Sequence, residues 1–265
     1  MSKLTEKDFI DIRDEINNGR LSPTRIRKGL GVFMFFSLIV IGVPYMVVNA
    51  SNTVIGWENL SVIWKAIFWL QAVLFLFQLI LIFLASGKSN FTQIILSIAY
   101  VIYAYKMALD PFVMILMFAK NDGVYDQFYP LVLGAIILGF IIHFYFLRRT
   151  FRGLKAKRDK HNERKSASSL YMSVPIIFLL VSATGYIIKN DILGSNDNLF
   201  FLIVAFILLV ALLIGAIEFV KGAYCVIRFP SFRVNPSSSP QKKTSLMLRM
   251  KLKTVDFLPI VFAFI

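Results

Sequence analysis

Two residues of opposite charge stand within a long apolar stretch, where such groups can carry protons or ions across a membrane. Lys106 and Asp110 are four residues apart, so a helix places both side chains on one face. Two charges near mid-membrane oppose helix insertion by about 5–7 kcal/mol, whereas each Ile, Leu, Val or Phe favours it by only about 0.3–0.6 kcal/mol. We therefore predict a salt bridge that faces neighbouring helices or a water-filled space.

Further polar side chains extend this helix face. Tyr103 and Tyr100 precede Lys106 by about one and two turns. Pro111, directly after Asp110, has no backbone N–H, so it frees a carbonyl one turn earlier and could bend the helix. The pattern predicts an intramembrane polar site of four residues: Lys106, Asp110, Tyr103 and Tyr100. Its role is either polar or proton-coupled translocation, or an internal ion pair that fixes helix packing.

Three other polar residues stand in apolar stretches. Gln71 and Gln78 are seven residues apart on one helix face, and we expect them to join helices through hydrogen bonds. His143 is near the end of its stretch, about 6 Å from the inner membrane edge, whereas Lys106 would lie about 20 Å deep. We therefore predict an interfacial histidine that does not contact Lys106.

The sequence carries no recognisable catalytic motif. HExxH, GxSxG, CxxC, the P-loop and a GxGxxG turn after a strand are all missing. Two histidines, one cysteine and no acidic cluster within an apolar stretch make a catalytic metal site unexpected. We predict no catalytic residue, no metal, no cofactor and no enzymatic activity.

The elements that position these residues follow from composition. Hydrophobic residues make up 57% of the chain and charged residues 17%, against roughly 45–50% and about 25% in soluble domains. A helix needs about 20 apolar residues to cross the hydrocarbon core of a bilayer. Six stretches qualify and predict an all-α integral membrane protein, a six-helix transmembrane bundle: approximately 30–49, 63–86, 93–119, 128–147, 170–188 and 199–224.

The distribution of basic residues predicts the orientation of the bundle. Residues 1–30, 148–169 and 228–254 hold seven, nine and seven Lys and Arg, whereas the loops on the other side hold only Lys120 and Lys189. Because cytoplasmic loops retain Lys and Arg, both termini and the loop 148–169 are predicted to be cytoplasmic, an N-in/C-in topology. The same asymmetry accounts for the net charge of +14, so no nucleic-acid partner is expected.

The chain accordingly divides into three regions. Residues 1–29 form a cytoplasmic N-terminal segment, and residues 30–228 form the six-span membrane domain. Residues 229–265 form a basic cytoplasmic tail with an apolar end. That end, residues 255–265, is too short to cross a bilayer, so we expect it to associate with the membrane surface.

A short amphipathic helix is predicted within the N-terminal segment. Residues 5–17 place Phe9, Ile12 and Ile16 on one helical face with charges opposite. We expect this helix to lie against the membrane or the bundle, with docking of a partner protein as the alternative.

Two classes of function remain open. Short outer loops and sparse intramembrane chemistry favour a non-enzymatic accessory, assembly or immunity-type component that contacts a membrane or cytoplasmic protein partner. The alternative is a transporter or permease subunit that uses the polar face of the third span, because six spans with both termini inside suit a permease driven by a separate ATPase. The single cysteine and the Lys/Ile/Phe-rich usage favour a multi-pass protein of a cell membrane, namely a bacterial plasma membrane.

Overall fold

The computed structural model describes residues 4–50, 55–84, 89–157 and 197–234, and every regular element in these ranges is helical. Three predictions fall outside the described residues. They are the fifth span at 170–188, the loop 148–169 from residue 158 onward, and the tail beyond residue 234 with its apolar end.

One short α-helix, three 3-10 turns and five long α-helices are the regular elements of the described chain. A 3-10 turn, Glu6–Phe9, leads into the short helix α1, Ile10–Asn17. The long helices are α2 (Pro23–Asn49), α3 (Val62–Leu84), α4 (Asn90–Asn121), α5 (Tyr125–Lys157) and α6 (Asp197–Arg228). Two more 3-10 turns, Trp57–Asn59 and Pro230–Phe232, precede α3 and follow α6.

All five long helices are long and apolar enough to cross a membrane, and they correspond to five of the six predicted spans. Several exceed the apolar stretches that predicted them: α2 begins at Pro23 rather than near residue 30, and α5 continues to Lys157 rather than ending near 147. The apolar stretch reports the width of the hydrocarbon, whereas a helix ends where its backbone hydrogen bonding ends. Ser22 and Pro23 illustrate this, since an extended serine followed by proline is a common helix start.

Helix α4 is the centre of the bundle. It packs against α2 on one side, which in turn packs against α3, and against the pair α5–α6 on the other. In its most apolar 18-residue stretch 50% of the residues are buried, compared with 17% in α3. Large apolar side chains of the outer helices remain exposed, among them Trp69 and Phe83 of α3 and Ile141 of α5. Such faces suit contact with lipid, and the central position of α4 keeps its polar face away from them.

We call the end of the bundle that carries α1 the α1 end. There the beginnings of α2 and α4 meet the ends of α3, α5 and α6. Phe9 and Ile16 are fully buried in an apolar core with side chains of α5 and α6, and Ile12 packs against the same core. The predicted amphipathic face is therefore confirmed, and it lies against the bundle.

Candidate functional site

The predicted salt bridge forms within α4. Lys106 Nζ lies 2.6 Å from Asp110 Oδ2, one helical turn along the chain. Only 8% of the lysine side chain and 1% of the aspartate side chain are exposed. Both charges are therefore inside the protein, and each depends on the partners that the bundle provides.

Two more side chains, from two other helices, complete the ion pair. Ser37 of α2 donates its hydroxyl to Asp110 Oδ2 at 2.8 Å and accepts from Lys106 Nζ at 3.1 Å. Gln71 of α3 donates its amide to Asp110 Oδ1 at 3.2 Å. We call these four residues, Ser37, Gln71, Lys106 and Asp110, the polar cluster. It joins α2, α3 and α4 at one level of the bundle.

The sequence indicated only part of the polar cluster. Gln71 was expected to form a hydrogen bond between helices, which the structure confirms, but its assignment to Asp110 needed the packing of α3. Ser37 stands alone in an apolar stretch and carried no signal of its own. Gln78 meets the same expectation, because its amide donates to the Leu30 carbonyl of α2 at 2.8 Å.

One polar atom of the cluster has no protein partner in the described chain. Gln71 Oε1 is buried and accepts no hydrogen bond there. Pro111 lies beside the cluster and leaves the Met107 carbonyl without its usual helical donor. Helix α4 nevertheless continues through Pro111 as a single element, Asn90–Asn121.

The two tyrosines of the predicted site have other partners. Tyr103 is buried, and its hydroxyl donates to the Leu74 carbonyl of α3 at 2.6 Å rather than to a charged group. Tyr100 stacks on Phe33 with ring centroids 5.0 Å apart and contacts Phe219 at 4.4 Å. The structure thus brings Lys106 and Asp110 together but gives both tyrosines partners outside the polar cluster. The helix face that both tyrosines share with the ion pair predicted that they lie near it. Which groups they contact depends on the neighbouring helices.

His143 takes its partners inside the bundle, on a different side of α4 from the Ser37 partner of Lys106, and its interfacial depth stays a prediction. His143 is fully buried, its Nε2 lies 2.8 Å from the hydroxyl of Tyr105, and its Nδ1 lies 2.8 Å from the Leu213 carbonyl. Helix α5 continues past this position to Lys157. Since a carbonyl can only accept, Nδ1 carries a proton, and in the neutral form of the ring Nε2 accepts from the Tyr105 hydroxyl.

Two polar networks therefore flank α4 at almost the same height. Lys106 is directed toward α2, whereas the preceding residue, Tyr105, is directed toward His143 of α5. Adjacent helical residues point about 100° apart, which is why the two networks lie on different sides of one helix. Each network hydrogen-bonds α4 to its neighbours in an apolar environment, where unpaired polar groups are unfavourable.

The described residues contain no group of three or more His, Cys, Asp or Glu side chains placed to hold a metal ion. The polar cluster contributes a single carboxylate, which is neutralised by an ammonium group of its own helix. Its chemistry is charge neutralisation combined with hydrogen bonding between helices. Comparison with protein-family models, curated protein sequences and solved structures gives no match for this chain.

Proposed function

We propose that this protein is a multi-pass membrane component that acts, without catalysis, through contacts with other proteins in the membrane. In this proposal the bundle is a scaffold. Its embedded charges hold the helices in place, and its partner is a membrane or cytoplasmic protein.

The state of the polar cluster is the observation that supports this proposal. A site that binds and releases a substrate or proton needs a charge that the cargo can reach. Asp110 is 1% exposed, and its two oxygens accept hydrogen bonds from three side chains. A pair satisfied in this way, by residues of three helices, suits a structural role.

The proposal includes a topology. We propose six spans with both termini cytoplasmic, in the plasma membrane of a bacterium, because the basic residues gather on one side of the spans. Reporter fusions after residues 50, 122 and 234 test it directly. The first two are expected to report the outer side and the third the cytoplasm, and any other pattern contradicts the topology.

Copurification tests the function. The tagged protein, extracted from its own host in a gentle detergent, is expected to carry a stoichiometric membrane, secretion or toxin partner identified by mass spectrometry. The same tag on an unrelated six-span protein is the control for non-specific capture. A homo-oligomer without a partner would contradict the proposal.

Transport is the second candidate, and the position of the ion pair favours it. Lys106 and Asp110 lie in the central helix, between the α2–α3 and α5–α6 pairs and next to a proline. A stoichiometric ATPase in the copurification would support a permease subunit. Asp110→Asn is then expected to abolish the ATPase rate of the complex in liposomes at unchanged membrane abundance. Loss of the protein from the membrane would instead support the structural role.

A further inference from the structure

The N-terminal segment crosses the α1 end of the bundle before α2 begins. Its 3-10 turn inserts Phe9 into an aromatic socket. The ring centroid of Phe9 lies 5.5 Å from that of Tyr224, 5.8 Å from that of Phe229 and 6.4 Å from that of Phe151. These partners belong to the ends of α5 and α6 and to the residues just after α6, so the segment is anchored to one half of the bundle.

Polar contacts hold the same segment along its length. Glu6 accepts from Arg13 of α1 and from Ser231, which follows α6. The Arg13 guanidinium lies 5.0 Å above the ring of Phe232. Between α1 and α2, Arg20 forms a salt bridge of 3.1 Å with Glu218 of α6. Together with Phe9, these contacts follow the segment from its beginning almost to the start of α2.

The last contact of the segment depends on a glycine. A Cβ atom added to Gly222 of α6 would lie 2.7 Å from Leu21 Cδ1, so the missing side chain makes room for Leu21. Two residues later, Pro23 begins α2. Helix α2 itself packs mainly on α3 and α4. Residues 4–22 therefore connect the α2–α3 side of the bundle to the ends of α5 and α6.

Docking of this segment leaves polar atoms unsatisfied. Asp8 Oδ1, Arg13 Nε and Arg20 Nη1 are buried without a hydrogen-bond partner in the described chain. Water would satisfy all three if the segment moved away. The Arg20–Glu218 salt bridge is also partly solvent-exposed, with 34% of each side chain accessible, and salt screens such pairs. Burial of Phe9, Ile16 and Leu21 therefore stabilises the docked segment, whereas the three unpaired polar atoms destabilise it and the partly exposed salt bridge adds little.

From this balance we propose that residues 4–22 form a releasable strap. Docked, the strap closes the α1 end across the two sides of the bundle. Released, it uncovers the aromatic socket and the end of α6 while the helices stay folded. The inference does not depend on the proposed function, since a strap of this kind would serve a scaffold or a permease.

The only cysteine of the chain reports the state of the strap. Cys225 of α6 is fully buried in the apolar core that also contains Phe9, Ile16 and Leu21. Its rate of labelling by N-ethylmaleimide in the detergent-purified full chain measures how often this core opens. We expect Phe9→Ala to label at least about tenfold faster than wild type.

Weaker and matched variants test the same strap. Glu218→Gln is expected to label about two- to fivefold faster, because it removes one partly exposed ion pair. Raising the salt concentration should accelerate the wild type and leave Glu218→Gln nearly unchanged. Phe35→Ala, which removes a ring that is 64% exposed on α2, is the control and should label like wild type.

A second cysteine distinguishes strap release from unfolding. Leu209→Cys in a Cys225→Ser background places a thiol at a fully buried position of α6 in a different core. Phe9→Ala should leave its labelling rate unchanged. The strap is refuted if Phe9→Ala and Glu218→Gln label Cys225 at the wild-type rate, or if Phe9→Ala accelerates the thiol at 209 as much as Cys225.

Discussion

Replacing Asp110 by leucine is expected to destabilise the bundle far more than replacing Asp110 and Lys106 together. In Asp110→Leu, the Lys106 ammonium loses its 2.6 Å partner and keeps the Ser37 hydroxyl as its acceptor. Removing one member of a buried ion pair destabilises a protein by about 3–5 kcal/mol. Lys106→Met should have a similar effect, because it leaves a carboxylate that is 1% exposed without a counter-charge.

The double variant removes both charges and leaves an apolar contact in their place. Such replacements are often neutral or stabilising. Here Gln71 loses its acceptor, so we expect the free energy of unfolding of the double variant to fall by about 1–3 kcal/mol. If the two sites were independent, the double variant would lose about 6–10 kcal/mol, the sum of the single losses. The structure thus predicts a coupling energy of at least about 3 kcal/mol.

Unfolding in detergent micelles titrated with SDS measures these free energies. Lys65→Met is the control, because within the described chain Lys65 Nζ donates to the exposed Glu58 carbonyl at 3.3 Å, and its free energy of unfolding should fall by no more than about 1 kcal/mol. Additive losses in the double variant would show that Lys106 and Asp110 do not act as a pair. An unchanged stability of Asp110→Leu would refute the buried cluster altogether.

Three further substitutions, two of them with a control, test contacts between helices by the same measurement. Gly29→Ala should lower the free energy of unfolding by about 1–3 kcal/mol, because its Cβ would lie 2.5 Å from the Tyr100 hydroxyl of α4. Its control is Gly31→Ala, whose Cβ would meet nothing within 4 Å and which should be neutral or slightly stabilising. Tyr105→Phe should lower the free energy of unfolding by about 0.6–1.7 kcal/mol, because it removes the hydrogen bond to His143 of α5. Tyr145 is 61% exposed, so Tyr145→Phe is the control and should leave the stability almost unchanged. Equal stability of these two variants would contradict the assigned bond. Gln78→Leu should stay within about 1 kcal/mol of the wild-type stability, because it removes one hydrogen bond together with Oε1, which has no partner in the described chain. A loss of stability above about 2 kcal/mol would show that Oε1 has a partner.

Sequence periodicity was sufficient to predict which side chains lie on the same face of one helix. The four-residue spacing of Lys106 and Asp110 predicted their salt bridge, because both side chains must lie on the same face of α4. The spacing of Phe9, Ile12 and Ile16 predicted the buried face of the N-terminal segment for the same reason.

The partners in contacts between helices were beyond that reasoning. Ser37 reaches Asp110 across 73 residues of sequence, and nothing in its neighbourhood distinguishes it from an ordinary buried serine. The partners of His143, Tyr105 of α4 and the Leu213 carbonyl of α6, come from helices that its own sequence neighbourhood does not identify. Tyr100 and Tyr103 share the face of the ion pair, but their partners come from α2, α3 and α6.

By itself, the sequence determined the all-helical class, five long apolar helices within the described chain, and the ion pair of α4. These properties depend on composition and on the period of a single helix, which are local. Only the tertiary structure decided that α4 is central, that Ser37 and Gln71 donate hydrogen bonds to Asp110, and that the N-terminal segment packs over the ends of α5 and α6. The physical reason is that each buried polar group takes whichever partner the packing brings within hydrogen-bonding distance, and packing depends on all helices at once.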